Sequence, residues 1–346
     1  MKKNPLGRTG MSVTELCLGT MTYGNQTPPE DAFAQIERAL DAGINFMDTA
    51  EMYPVNPVKA ETVGRTESIL GDWFEKSGRR SEWILASKHT GPSKLVRDEA
   101  PISSETIPVA VEASLKRLKT DYIDLYQFHW PNRGSYAFRQ NWTFAPWKQD
   151  REATRQHMAD ALGALQREVE RGTIRAFGLS NDSAWGTAEW LRMANEVGGP
   201  RVASVQNEYS LLYRMADTDL GELMVNEDVG LLPYSPLGAG LLTGKYQDGA
   251  VPEGSRMAIN GDLGGRKTDR VFPAVAAYID LAKEFGLEPA QMALAWSARR
   301  PFVASSIFGA TTVGQLEQLL GAADVTLPDE LLERIDATHK AHPLPY

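Results

Sequence analysis

The sequence predicts an α/β fold and, within that class, a (β/α)8 TIM barrel with long βα loops at the C-terminal face of its strands. Three observations lead there. Short apolar runs rich in β-formers recur along the chain, segments with helical spacing separate them, and the length of 346 residues lies within the roughly 200 to 400 that one barrel occupies. Parallel strands need crossover connections, which helices supply while covering the outer face of the sheet.

Taken in order, the first run is Thr14 to Leu18, and Ala32, Ile36, Ala39 and Leu40 follow it on one helical face. Ile44 to Met47 and Trp83 to Ala86 are the next two strands, followed by the helical set Val109, Ala113, Leu115 and Leu118. Tyr122 to Phe128 is the fourth strand, and it leads into Pro131 to Arg155, a stretch rich in aromatic and charged residues. That stretch reads as a long βα loop, where Trp130, Phe138, Trp142 and Trp147 are candidates to line a pocket. Taken singly, each of these aromatics is as well explained by packing within the loop. Leu162, Leu165 and Val169 mark another helix before the strands Ile174 to Leu179, Val202 to Val205 and Gly230 to Pro233. A second long loop, Gly238 to Lys267, carries several glycines ahead of the last strand, Ser305 to Phe308. Pro328 to His339 reads as an amphipathic helix whose Leu331, Leu332 and Ile335 are available to cover the barrel. No linker-like, low-complexity or repeated segment invites a cut, so residues 1–346 are expected to form one domain.

Composition narrows the function. Hydrophobic residues make up 42% and charged residues 23% of the chain, enough apolar material for a large core. The net charge of −9 opposes broad attachment to nucleic acid or anionic membrane. No apolar run approaches the length that spans a bilayer, and Met1-Lys2-Lys3 is not followed by the apolar stretch of a secretory signal. Cys17 is the single cysteine, so no internal disulfide is available and a cytoplasmic location is expected. His89, His157, His339 and His342 show no metal-ligand spacing, and no metal is expected.

Four polar residues fall at or just beyond three successive strands: Asp48 and Tyr53 after the second, Lys88 after the third and His129 after the fourth. Convergence at one barrel mouth suits carbonyl chemistry. A phenol with a reference pKa of about 10 donates poorly at neutral pH unless a cation favours its anion. Lys88 supplies that cation, Asp48 its counter-charge, and His129 can orient a carbonyl oxygen, giving general acid catalysis with electrostatic stabilisation. Each residue alone has an ordinary reading: a cap, a packed ring, a solvated strand end, a satisfied core histidine. Shared position and the words Asp48-Thr49-Ala50-Glu51-Met52-Tyr53 and Asp124-Leu125-Tyr126-Gln127-Phe128-His129 outweigh it.

Those words resemble the aldo-keto reductase family, and Glu61-Thr62-Val63-Gly64-Arg65-Thr66-Glu67 is similar to its bacterial Tas-like branch. The resemblance runs from Leu6-Gly7-Arg8-Thr9-Gly10 to the segment around Gly309-Ala310-Thr311. It implies that Tyr53 is the general acid, Lys88 and Asp48 tune it, and His129 binds the carbonyl. It also implies a nicotinamide cofactor, NADPH first with NADH as the alternative. Ser180, Asn181 and Gln206 would bind the carboxamide, and Tyr234 would stack on the nicotinamide. Ser235, Pro236, Leu237 and Gly238 would pass the pyrophosphate, with Lys245 and Arg256 as basic contacts. Gly309, Thr311 and Gln315 would meet the adenosine end. Many relatives carry Glu-Asn where this chain has Gln318-Leu319, which removes an amide contact to adenine. Met21, Tyr23 and Trp130 are the expected substrate pocket, for a small carbonyl compound. The resemblance also extends to potassium-channel β-subunits, so a cofactor-binding regulatory subunit is the alternative function.

Overall fold

The computed structural model describes residues 1–346. A hairpin comes first, β1 (Lys3–Pro5) paired antiparallel with β2 (Ser12–Thr14). Eight parallel strands follow: β3 (Leu16–Gly19), β4 (Phe46–Asp48), β5 (Ile84–His89), β6 (Ile123–Phe128), β7 (Ile174–Ser180), β8 (Val202–Gln206), β9 (Gly230–Leu231) and β10 (Ser306–Phe308). They lie in chain order, and β10 returns beside β3. The remaining seam joins the segments of β9 and β10. Leu231 N donates to Phe302 O at 2.8 Å, Ala304 N to Leu231 O at 2.9 Å and Ile307 N to Pro233 O at 2.8 Å. The sheet is therefore a closed (β/α)8 barrel.

Helices α1 (Pro29–Asp41), α2 (Arg65–Ser77), α3 (Thr106–Leu118), α4 (Arg151–Glu170), α5 (Ala184–Val197) and α6 (Asp219–Glu227) follow β3 to β8 in turn. A single turn, α7 (Arg256–Ile259), lies in the loop after β9, and α8 (Val271–Glu284) and α9 (Pro289–Ala298) lead back to β10. The last two helices are α10 (Val313–Leu320), beside α1, and α11 (Asp329–Ala341), against α8. Their starts follow from local chemistry: Asp150, Ser183 and Thr312 each accept a backbone N–H of the first turn of α4, α5 and α10. No helix is long and apolar enough to cross a membrane.

Three details depart from the expected pattern. Thr14 to Leu18 is split between the hairpin and the barrel at Glu15, whose carboxylate accepts the Lys2 amide at 3.1 Å. The third barrel strand continues to His89, so Lys88 stands inside it. Val109 is 63% exposed, because the buried stripe of α3 runs through Ile107, Ala110, Val111, Ser114, Leu115 and Leu118.

The core has two layers. A large cluster fills the space between strands and helices, and a smaller one fills the lumen, where Leu6 and Val13 of the hairpin region meet Cys17, Phe46, Leu125, Ala176 and Leu232. Side chains alternate along a strand, so one step of two residues toward the C-terminal end leads from Phe46 to Asp48, from Ala86 to Lys88 and from Leu125 to Gln127. There the lumen turns from apolar to polar. On β8 simple alternation from the inward Ala203 would aim Val205 inward, but a register shift against β7 between Phe177 and Leu179 adds a residue and brings Gln206 in instead.

Candidate active site

The polar layer at the C-terminal end of the lumen centres on Lys88, whose side chain is fully buried. Its Nζ donates to Asp48 Oδ2 at 2.6 Å, to Thr49 O at 2.8 Å and to Tyr53 OH at 3.3 Å. Three partners account for all three ammonium protons. Burial alone would pull the Lys88 pKa down, but Asp48 and Tyr53 together outweigh it and hold it above its ordinary value. Asp48 Oδ1 is occupied as well, accepting from Gln206 Nε2 at 2.7 Å and Gln127 Nε2 at 3.2 Å.

Tyr53 is 9% exposed and its ring edge faces His129, with centroids 5.8 Å apart. Burial raises its pKa, and Lys88 draws it back without cancelling the rise. The phenol is thus protonated at neutral pH. His129 is 8% exposed, and its Nδ1 has no partner. Burial, with Lys88 adding to it, holds the imidazole well below its ordinary pKa, so the ring is neutral. The four residues expected to converge do so, around Lys88.

The expected cofactor residues lie around the same mouth. Ser180 Oγ donates to Gln206 O at 2.8 Å, and Asn181 Nδ2 donates to His129 O at 2.8 Å, while Asn181 Oδ1 accepts from Tyr234 OH at 2.8 Å. Tyr234, Ser235 and Leu237 are half-buried, and Pro236 and Gly238 buried. Ser235 has φ 54°, and its carbonyl accepts from Gly238 N at 2.9 Å, a tight turn at the foot of the long loop. From that loop, Lys245 stays exposed and Arg256 reaches inward, its Nη2 3.9 Å from Met21 Sδ. Neither is paired with a carboxylate. Burial and the neighbouring Arg266 pull the Arg256 pKa down to about 10. Across the mouth, Gln315 Oε1 accepts from both N and Oγ1 of Thr311 at 3.0 Å, and Gly309 is exposed beside them. Leu319 is 6% exposed and belongs to the core, whereas Gln318 faces solvent.

One pocket residue needs correction. Tyr23 is fully buried and its hydroxyl donates to Gln35 Oε1 on α1 at 3.2 Å, so it packs between barrel and helices and lines no accessible pocket. The peptide around it turns Met21, not Tyr23, toward the mouth. Trp130 is half-buried, its ring tilted against His129 at 5.0 Å and edge-to-face with Phe138 at 6.1 Å. Trp142 and Trp147 are each 80% exposed and stand clear of the mouth. No group of three histidine, cysteine or acidic side chains is gathered as a metal site.

Several residues that build the site carried no functional expectation. Gln127 lies opposite Lys88 in the β5–β6 register; its signal was a polar residue near the C-terminal end of a fully buried strand. Glu208, at the end of the β8 segment, accepts from Arg139 of the first long loop and Arg266 of the second, each at 2.8 Å, and from Tyr346 OH at 3.3 Å. Nothing local in the sequence joins those four positions.

Comparison with known proteins agrees with this geometry. A model of the "Aldo/keto reductase family" matches residues 15–340. The protein tas of Escherichia coli is 41% identical over 352 aligned residues, covering 100% of this chain and 99% of that protein. An uncharacterized oxidoreductase of Bacillus subtilis, YrpG, is 33% identical across 97% of this chain and 95% of its own. A probable voltage-gated potassium channel subunit beta of Arabidopsis thaliana is 31% identical across 99% of this chain and 98% of its own.

Proposed function

Since the chain belongs to the aldo/keto reductase family and is an oxidoreductase, we propose that it reduces aldehydes or ketones to alcohols with NADPH, Tyr53 supplying the proton. The observation that carries this reading is the buried contact of Lys88 Nζ with Asp48 at 2.6 Å and with the Tyr53 hydroxyl at 3.3 Å, at the open end of the barrel.

The donor set suits a dinucleotide. Lys245 and Arg256 are cations without carboxylate partners, and the N-terminal turn of α10 beside Thr311 and Gln315 offers amides to a phosphate. Ser180, Asn181 and Gln206 would hold the carboxamide, Tyr234 would flank the ring, Ser235, Pro236, Leu237 and Gly238 would border the pyrophosphate, and Gly309 would face the adenosine. When bound, the nicotinamide supplies a hydride. The protein's own work is on the oxygen. His129, neutral, presents a ring N–H to a carbonyl oxygen without adding charge to a site that already holds the Lys88 ammonium. Tyr53 begins as a protonated phenol, and as its proton leaves, the ammonium 3.3 Å away stabilises the phenolate that forms. Asp48 keeps that ammonium charged and directed. Met21 and Trp130 border the space left for the substrate, an apolar wall that suits aryl and alkyl carbonyl compounds.

The test is NADPH oxidation by purified protein across aromatic and aliphatic aldehydes, with NADH in parallel and Tyr53→Phe as the comparison. Multiple turnovers that vanish in Tyr53→Phe while NADPH still binds are expected. Turnover unchanged in that variant refutes the mechanism, and tight nucleotide binding with no turnover on any carbonyl favours a regulatory subunit.

A further inference from the structure

An ion pair that takes no part in the chemistry above, between a buried glutamate and a half-buried arginine, lies beside the loop carrying Tyr53. Glu51, two residues ahead of Tyr53, is 3% exposed. Both its carboxylate oxygens accept from Arg97 Nη1 at 2.7 Å, and Oε1 also accepts the Thr90 amide at 2.5 Å. Arg97 Nη2 donates to Thr90 O at 2.7 Å and lies 3.1 Å from His89 Nδ1. The ring of His89 reaches Thr106 Oγ1 of α3 through Nε2 at 3.1 Å. Burial and Arg97 push that imidazole down to about 3, so it stays neutral and adds no charge to the cluster.

The backbone bends against its preference to bring Arg97 there. Arg97, Asp98 and Glu99 have φ of 55°, 48° and 65°, three successive non-glycine residues in the left-handed region. Such strain persists only where surrounding contacts over-determine it. Asp98 and Glu99 are exposed; the turn is closed by Glu99 N to Ser93 O at 2.9 Å and Ala100 N to Arg97 O at 2.8 Å, and among its side chains Arg97 is the one that reaches inward.

The loop between Asp48 and α2 is tied at its start by Thr49 N to Ala86 O at 2.9 Å and at its end by Thr66 N to Tyr53 O at 3.4 Å. Between these points the Lys88 ammonium holds Thr49 O at 2.8 Å, Val55 N donates to Met21 O at 3.0 Å, and Glu51 adds a link to the backbone of β5, through its own N–H to Lys88 O at 3.4 Å and its side chain to Thr90. We propose that Glu51 and Arg97 are positioning residues, a clamp that fixes this loop on β5 and thereby holds the Tyr53 hydroxyl at Lys88. Neither touches the reacting atoms. The inference rests on Tyr53 being the proton donor.

Arg97→Ala and Glu51→Gln test it beside Tyr53→Phe, with kcat measured on an aldehyde and NADPH affinity by nucleotide fluorescence. A displacement near 1 Å at a reacting group costs on the order of a hundredfold in rate, so kcat should fall by roughly ten- to a hundredfold in both variants with NADPH affinity kept. Guanidinium ion, added below denaturing concentration, should restore part of the Arg97→Ala rate, which a general loss of packing would not permit. Wild-type kcat in Arg97→Ala, beside an inactive Tyr53→Phe, overturns the clamp and leaves the proton donor standing; an active Tyr53→Phe overturns both. Loss of kcat and NADPH affinity in step, without guanidinium rescue, also overturns it. Should Arg97→Ala fail to fold, Arg97→Lys keeps the cation without the two-pronged donor, and the same separation of kcat from affinity is read from it.

Discussion

Replacing Asp48 by Asn isolates the charge on which the candidate site depends. The amide keeps nearly the same shape but leaves the Lys88 ammonium, fully buried, with neutral acceptors in place of a carboxylate. Removing one member of a buried pair costs about 3–5 kcal/mol. Unfolding entropy of roughly 2.1 cal/mol/K per residue gives about 0.7 kcal/mol/K for 346 residues, so Tm should fall by about 4–7 °C. The pH dependence carries the diagnosis. In the native protein the Lys88 pKa lies above its unfolded value, so its contribution is fully present below about pH 10.4 and is lost as pH rises through the folded pKa. Without Asp48, burial dominates and the folded pKa drops below the unfolded one. The deficit of Asp48→Asn is then largest near neutrality and shrinks as pH approaches 10, and kcat falls at the same time because Tyr53 loses its cation. Thermal melts at pH 7 and pH 10 measure this. An equal loss at both pH values, or a Tm within about 1 °C of the parent at pH 7, refutes the charge argument.

The other expectations are more local. His129, held neutral by burial and Lys88, should not titrate between about pH 5 and 8; a ring nitrogen resonance that moves in that interval counts against it. A Cβ on Gly91 would lie 2.2 Å from Trp130 Nε1, so Gly91→Ala must displace the indole and should change KM for the carbonyl while NADPH affinity is kept; an unchanged KM removes Trp130 from the substrate wall. Arg256→Met should cost NADPH more than NADH: a hydrogen bond to a charged group is worth about 1.5–3 kcal/mol, roughly ten- to a hundredfold in Kd. Equal losses for the two nucleotides would assign Arg256 to the pyrophosphate and not to the 2′-phosphate.

Much of the barrel was legible because its strands are short, apolar and separated by helical spacing, and each of the eight expected runs overlaps or adjoins a barrel strand. Where the reading slipped, a tertiary contact had overridden a local pattern. Val109 is four residues from Ala113 but lies two residues from both Ile107 and Val111, which puts it on the far side of α3 from the buried stripe. Tyr23 sits next to a residue of the mouth, yet its hydroxyl finds Gln35 on α1, and a residue's neighbours in sequence do not say which way its ring turns. Asp48, Lys88, Tyr53 and His129 were legible as a set because barrel geometry brings strand ends together. Arg97 and Glu208 were not, since their partners are set by loop paths: the left-handed turn at Arg97 to Glu99 contains no glycine to announce it, and Glu208 joins two loops to Tyr346.

The amides at the lumen's polar end explain why one lysine suffices there. A buried carboxylate must have both oxygens satisfied, and Asp48 commits only Oδ2 to Lys88. A second cation at Oδ1 would satisfy it too, but would compete for the charge that keeps Lys88 protonated and would add repulsion between two ammonium-like groups in the barrel. Gln127 and Gln206 satisfy Oδ1 with neutral N–H groups at 3.2 Å and 2.7 Å. The full negative charge of Asp48 therefore stays available to Lys88, and Tyr53 faces a whole ammonium. The bulge in β8 belongs to the same arrangement, for without the extra residue that turns Gln206 inward, Val205 would face Asp48 and Gln127 alone would meet its second oxygen.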